Sequence, residues 1–346
     1  MTHLERFYTT VERREVDYPA SWLGLPLPET MPNLLRFFHV ETELELKSKL
    51  NDDIYPVEMP YHSPTSNAIY AAFDFAVKHQ NDNSERTLTS QGFFANYTDP
   101  AKVNDFDWPD PAKYINPAEC LEVVNHAPKD MAVLGVLWSA HFQDACAAFG
   151  MEEALMKMLT EPAMFKAVIE RITDFYLEAN EIFYCATKGK VHAVLIGNDL
   201  GSQNGLILSP QLIREFVLPG TRKLIAQAKR YGLKVIHHSC GAISEIIPDL
   251  IEAGADVIHP IQTLAKGMDI HRLKNDFGNQ VSFCGGVDVQ QLLVSGSPEQ
   301  VKDKVKELKK LFSTGLIISP SHEAVLPDVK PENIQALFET VKFINN

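Results

Sequence analysis

The stretch K-V-I-H-H-S-C-G-A-I-S-E-I-I-P-D-L-I-E-A-G-A-D-V-I-H-P-I-Q, Lys234–Gln262, carries the pattern on which the fold turns. A β-branched run (Val235, Ile236) leads into His237, His238 and a Ser-Cys-Gly turn. An amphipathic segment, Ser244–Ala253, follows and stops at Gly254, a residue that takes the left-handed conformation ending many helices. A second apolar run, Asp256–Gln262, then begins. Strand, helix and strand, with both strands apolar almost throughout, is the unit of a parallel sheet covered by helices.

The unit repeats on both sides. Apolar runs of strand length occur at Asp53–Met59, Gln91–Tyr97, Met131–Trp138, Ala193–Asp199, Val235–Cys240, Asp256–Gln262, Val281–Asp288 and Leu316–His322. Longer helical patterns separate the later ones: Glu152–Thr160, Ala163–Lys188, Pro210–Arg230, Ser244–Ala253 and Pro298–Phe312. Ser209 and Ser297, each before a proline, have the form of helix N-caps, and Gly315 that of a stop. Eight such units in 346 residues predict an α/β fold, a (β/α)8 TIM barrel in a single domain. Residues 1–50, punctuated by Pro19, Pro26, Pro28 and Pro32, read as an irregular N-terminal extension packing on a barrel of residues 51–346. Within it Asn33 is expected to cap a short helix through Phe38. Thr42 and Glu45 have capping-box spacing for another running to Leu50.

Charge and composition narrow the functions. Hydrophobic residues at 45% and charged residues at 22% suit a globular protein with a sizeable core. A net charge of −13 speaks against nucleic acid or an anionic membrane as the main partner. The five cysteines, Cys120, Cys146, Cys185, Cys240 and Cys284, are widely spaced and odd in number, which suits a reducing compartment. The first residues lack the apolar core of a signal peptide, and no apolar run is long enough to span a bilayer. A cytoplasmic location is the expectation. No glycine-rich phosphate loop follows any strand, so nothing points to a nucleotide.

In a parallel barrel the chemistry collects at the C-terminal ends of the strands. Those ends carry Trp138, Ser139 and His141; Asn198, Asp199, Ser202 and Gln203; His238 and Cys240; His259 and Gln262; Cys284 and Asp288; and Ser321, His322 and Glu323. Alternation along a strand sends His238 and Cys240 to the same side and His237 to the other. An imidazole beside a thiol is half of a zinc site, and either His322 or Cys284 would complete it, leaving a fourth position open for catalysis. Cys284 also suits a small buried strand residue. Glu323 is expected to hold a ligand or to be one. His259, before a proline, reads as structural. Asp288, Ser202 and Gln203 suit loop capping as well as ligand binding.

Several of these segments together resemble the uroporphyrinogen decarboxylase superfamily, most closely its branch of zinc-dependent methylcobalamin:thiol methyltransferases. They are G-N-D-L-G-S-Q-N-G-L-I-L-S-P (197–210), H-S-C-G (238–241), P-D-L-I-E-A-G-A-D-V-I-H-P-I-Q (248–262), F-C-G-G-V-D (283–288) and P-S-H-E-A-V-L-P-D-V-K-P-E-N-I (320–334). L-N-D-D-I (50–54) and W-P-D-P (108–111) match more loosely. The resemblance implies the same barrel. Its methyltransferases bind zinc through H-x-C and a distant cysteine; His238 and Cys240 match the pair, and His322 stands where that cysteine falls. A His-Cys-His zinc site is therefore expected.

On this resemblance the chain moves a methyl group from a methylated corrinoid, presented by a corrinoid-binding protein, to a small-molecule acceptor bound as thiolate. Asp199, Gln203 and Asp288 would position the acceptor, and Glu323 would orient a ligand histidine. The decarboxylases of the superfamily imply a second reading, with Asp53 and His322 in the cleft. Their arginine-rich R-Q-A-G-R substrate motif is absent; Arg13, Arg14 and Arg36 stand in other contexts. A barrel that binds a corrinoid or small ligand without turnover is the third reading.

Overall fold

Seven of the eight apolar runs are parallel strands in the computed structural model, which describes residues 1–75 and 90–343. They are β1 (Ile54–Glu58), β2 (Ala132–Trp138), β3 (Ala193–Gly197), β4 (Lys234–His238), β5 (Val257–Ile261), β6 (Ser282–Val287) and β7 (Leu316–Pro320). Each pairs with the next in chain order, giving a curled sheet with helices between its strands, the barrel-type α/β architecture.

The exception is the run at Gln91–Tyr97, which forms a turn. Its aromatic residues do not alternate between two faces. Phe93, Phe94 and Tyr97 pack on one another and on Phe75, Phe106 and Trp108, while the Phe94 N–H donates to Ala148 O. The gap between β7 and β1 is bridged instead by Ala20–Trp22. Ile318 N–H donates to Ala20 O at 2.9 Å, Trp22 N–H donates to Ile318 O at 3.2 Å, and Asp53 N–H donates to Ser21 O at 3.2 Å. Part of the N-terminal fifty residues therefore lies between the first and last strands.

Two apolar layers follow from strand alternation. Ile54, Leu134, Val136, Leu195, Ile236, Val257, Cys284 and Ile317 fill the inside of the sheet with Trp22, Phe7 and Val11. The intervening residues, such as Val133, Val194, Val235 and Ile258, pack outward against the helices. Phe7 and Val11 belong to helix His3–Val11, which starts at a Thr2/Glu5 capping box.

The local signals mostly hold. Thr42 and Glu45 form the capping box of helix Glu43–Leu50, Ser297 caps Pro298–Leu311, and Ser209 accepts from Leu212 N–H. Helix Met31–Phe38 begins one turn earlier than expected, with Pro32 in its first turn and Asn33 inside it. The pattern over Pro210–Arg230 is interrupted by a π turn at Ile213–Val217, because Pro219 has no N–H to continue the α ladder. Among the described residues no helix is long and apolar enough to cross a membrane.

Candidate metal centre at the barrel mouth

The last residue of β4, His238, shares its side of the strand with Ile236 of the inner core, so its ring enters the mouth from the inside. Neighbouring β3 brings Asp199 to the same place. Its last residue, Gly197, allows the approach: a Cβ there would lie 2.0 Å from the His238 carbonyl oxygen. Beyond β4, Gly241 turns the chain at φ +82°, with its Cβ position 2.5 Å from the Gly201 backbone. Glycine at both points lets the Asp199–Gly201 loop and the Cys240–Gly241 turn lie against each other.

The result is a tight set of donors. His238 Nε2 is 3.1 Å from Asp199 Oδ1 and 3.6 Å from Cys240 Sγ, and the Cys240 N–H donates to the same Asp199 oxygen at 3.1 Å. The ligand atoms of Asp199, His238 and Cys240 lie within 4.8 Å of one another. A second set meets the other face of the imidazole: His238 Nδ1 is 3.2 Å from His259 Nδ1 and 3.5 Å from Glu323 Oε2. Those three residues also gather within 4.8 Å, and all are buried. His238 and His259 are register partners across β4 and β5, which is why they meet.

Trp138 packs edge-on against His238 at 5.4 Å. It and Ser139 hold left-handed backbone, φ 53° and 54°, where β2 shifts register against β3. Two consecutive non-glycine residues in that region mark stored strain at the mouth.

Charge in the cluster is unevenly matched. Burial opposes ionisation of Asp199, but its bond to His238 and the Cys240 N–H hold the carboxyl down at about 2. Burial pushes the Cys240 thiol up, and the Asp199 and Glu323 charges push it further. Burial lowers the His238 imidazole, but the Asp199 bond and the two carboxylate charges outweigh it and raise the imidazole overall. Glu323 Oε2 is buried without a hydrogen bond, 3.5 Å from both His238 Nδ1 and His322 Nδ1.

Other residues singled out in the sequence take varied places. Gln262 Oε1 accepts from the Gly241 N–H at 2.9 Å and from Gln203 Nε2 at 3.3 Å, so both glutamines border the Cys240 turn. His322 Nδ1 accepts from the Ala324 N–H, and its ring stands 6.4 Å from that of His238, outside both donor sets. Cys284 is fully buried in the inner apolar layer and joins neither set. The Asp288 carboxylate accepts from the N–H groups of Gln290, Gln291 and Leu292, a loop cap. His141 is buried between Ser139 O and Val217 O. His237 lies on the outward face with neither ring nitrogen hydrogen-bonded among the described residues, and burial lowers it to about 3.

Asp53 is the largest departure. It precedes β1 and so sits at the N-terminal end of the strand, away from the mouth. Its oxygens are taken by Arg6 Nη1 and His3 Nδ1, each at 2.8 Å, and by the Ser21 N–H at 2.8 Å. That is a structural clasp rather than a cleft residue. His259, read as structural from the following proline, instead touches His238. Its parity with inward-facing Val257 was the available signal.

Residues 90–343 match the family model described as uroporphyrinogen decarboxylase (URO-D). The chain belongs to the URO-D family. Among individual relatives, a methylated-thiol–coenzyme M methyltransferase of Methanosarcina mazei is 27% identical over 216 residues, 61% of this chain and 55% of that protein. A uroporphyrinogen decarboxylase of Chlorobaculum tepidum is 26% identical over 194 residues, 54% of this chain and 50% of that one. The chain thus spans about half the length of the curated URO-D relatives it matches. A solved methyltransferase from Methanosarcina mazei superposes with a TM-score of 0.70, covering 99% of this chain and 98% of the other at 15% identity, a likeness of fold. Enzymes of this family include both methyltransferases and decarboxylases.

Proposed function

We propose that this chain is a zinc-dependent methyltransferase. It moves a methyl group from a methylated corrinoid, presented by a corrinoid-binding partner protein, to the thiol or similar group of a small-molecule acceptor. The observation that carries the reading is the convergence of Asp199, His238 and Cys240 at the mouth, their ligand atoms within 4.8 Å.

The residues fit the metal. Imidazole nitrogen, thiol and carboxylate are all zinc donors. Neither Asp199 nor Glu323 is ion-paired with a lysine or arginine among the described residues; their charged partners there are histidines. A divalent cation would add positive charge where the two carboxylates meet no lysine or arginine, and would favour ionisation of the Cys240 thiol. His238 and Cys240 would hold it with Asp199, and His322, whose Nε2 has no hydrogen bond among the described residues, stands beside them. When bound, zinc would supply the positive charge that lets an acceptor thiol ionise near neutral pH.

The chain's own groups do the rest. Asp199 holds the Cys240 backbone and one face of the His238 ring. His259 and Glu323 fix the opposite face, the kind of outer support that keeps a ligand imidazole oriented. Gln262 pins the Cys240–Gly241 turn, and Gln203 leans on Gln262, from where it would meet the acceptor. Asp288 serves its own loop. Trp138 covers the His238 ring and keeps bulk water from it.

The test is thiol-dependent loss of the methyl–cobalt absorbance of methylcobalamin. Zinc-loaded protein is expected to support it and Cys240→Ala to abolish it. Inactivity there, together with conversion of uroporphyrinogen to coproporphyrinogen, would overturn the reading in favour of decarboxylation.

A further inference from the structure

Two buried residues at the strand ends, Asn198 and His141, stand outside both donor sets, yet a line of hydrogen bonds joins them to the cluster. Asn198 is the first residue after β3 and immediately precedes Asp199. Its backbone N–H donates to the His238 carbonyl oxygen at 3.1 Å, and its side-chain Oδ1 accepts from the Phe142 N–H at 2.8 Å. Phe142 is the second residue of helix His141–Phe149, whose N-cap is Ala140 and has no side-chain oxygen to offer. Asn198 thus supplies, from another strand, the cap that this helix lacks.

The same bond fixes the direction of the amide. With Oδ1 on Phe142, Nδ2 points at His141 Nδ1, 3.3 Å away. His141 Nε2 lies 3.0 Å from Val217 O, which only accepts, so that nitrogen carries a proton. Burial pushes the imidazole below its ordinary value, and near neutral pH the ring holds that one proton alone. Nδ1 is therefore the acceptor for the Asn198 amide. Ser139 O, 3.2 Å from Nδ1, is served by the His141 backbone N–H at 2.8 Å. Gly220 admits the helix that follows Val217: a Cβ there would lie 2.7 Å from His141 Nε2.

Asp199 depends on such a frame. Its side chain is 48% exposed, and its bonds to His238 and to the Cys240 N–H lie within the donor cluster itself. The backbone that carries it therefore sets its aim. On the far side the Leu200 N–H donates to Ser239 Oγ at 3.0 Å, so Asp199 stands between two buried pins, Asn198 and Ser239.

We infer that Asn198, oriented by the Nε2-protonated His141, is the positioning residue that sets Asp199 among the metal donors. The side-chain bonds of Asn198 go to Phe142 and His141, so its effect on the metal passes through Asp199. The inference rests on the reading of Asp199 as a metal donor.

Cobalt(II) is the probe, because it occupies zinc-type sites and its visible bands report their geometry. It is titrated into metal-free protein in a cycle of four forms: the parent, Asn198→Ala, Asp199→Ala and the double variant. Asn198→Ala keeps the backbone bond to His238 and is expected to weaken cobalt by about tenfold or more. Added to Asp199→Ala, the same substitution is expected to cost less than about twofold, since the residue it acts through is gone. At His141 two amide replacements part company. Asparagine sets an oxygen near the Nδ1 position and keeps an acceptor for Asn198; glutamine sets an N–H near Nε2 and leaves Asn198 without one. His141→Asn is expected to bind cobalt within about threefold of the parent with the same visible spectrum, and His141→Gln to lose about tenfold with a changed spectrum. Thermal unfolding checks that folded forms are compared, and if Asn198→Ala does not fold, the His141 pair decides alone.

Equal losses from Asn198→Ala with and without Asp199→Ala, or equal cobalt binding by the two His141 variants, would overturn the inference. Parent protein that takes up no cobalt would remove the metal reading itself, and the inference with it.

Discussion

His238 presents a different donor set to each of its ring nitrogens, so what each neighbour contributes is separable by substitution. Asp199 meets Nε2 together with Cys240, whereas His322 stands back with its Nδ1 already accepting a backbone N–H. Asp199→Asn is therefore expected to weaken zinc by at least the ~10–100-fold that loss of an outer support costs in other zinc sites, and His322→Ala by less. A competition titration against a chromophoric chelator reads both; the reverse order would make His322 the third ligand. The strand-end pattern made His238, Cys240, Asp199 and Glu323 legible as residues of the mouth, because parity and parallel topology are enough to aim them. It read Asp199 as a contact to the methyl acceptor and His322 or Cys284 as the third donor, whereas Asp199 stands in the donor set and those two do not. His259 was not legible in the same way: the proline after it suggested a backbone role, while its contact with His238 depends on register between β4 and β5.

At the scale of elements, the mouth depends on how closely the turns after β3 and β4 approach. Gly241 combines a left-handed φ of 82° with a Cβ position 2.5 Å from the Gly201 backbone. Gly241→Ala is expected to cost about 1–3 kcal/mol and to displace Cys240 from Asp199. Thermal denaturation together with zinc content reads it; a variant with native stability and full metal would contradict the close-approach account. Strands were readable where a β-branched apolar run faces helices on one side and the barrel core on the other. The run at Gln91–Tyr97 has strand composition, yet its rings satisfy one another in an aromatic cluster and need no sheet. The bridging segment Ala20–Trp22 was unreadable for the opposite reason. It has too few residues for a period to show, and its partner Ile318 is distant in sequence.

Across the whole molecule, the end of the barrel opposite the mouth is held by charge. Arg6 and Asp53 are nearly or fully buried and paired at 2.8 Å, with His3 and Ser21 on the same carboxylate. Asp53→Asn removes one of the two carboxylates on Arg6, which keeps its two hydrogen bonds to Asp17, and is expected to destabilise the protein by about 1–3 kcal/mol in denaturant unfolding. Zinc content and turnover per folded molecule should stay unchanged, because Asp53 lies at the other end of β1. Loss of turnover at full stability would return Asp53 to the cleft role that the decarboxylase resemblance implies. His3 adds a pH dependence of known sign. Its hydrogen bond to Asp53 raises the imidazole above its ordinary value of about 6.5. The stability it contributes is therefore complete below that value and is lost as pH rises through the raised one. His3→Gln should flatten that loss in unfolding curves taken between about pH 6 and 8.

The central claim is a metal centre at this mouth, and zinc X-ray absorption on protein purified with added zinc tests it most directly. The account predicts about one zinc per chain with one sulfur and several nitrogen or oxygen neighbours, and no bound zinc after Cys240→Ala. Protein that emerges without zinc, or zinc that survives Cys240→Ala with its coordination unchanged, would contradict it.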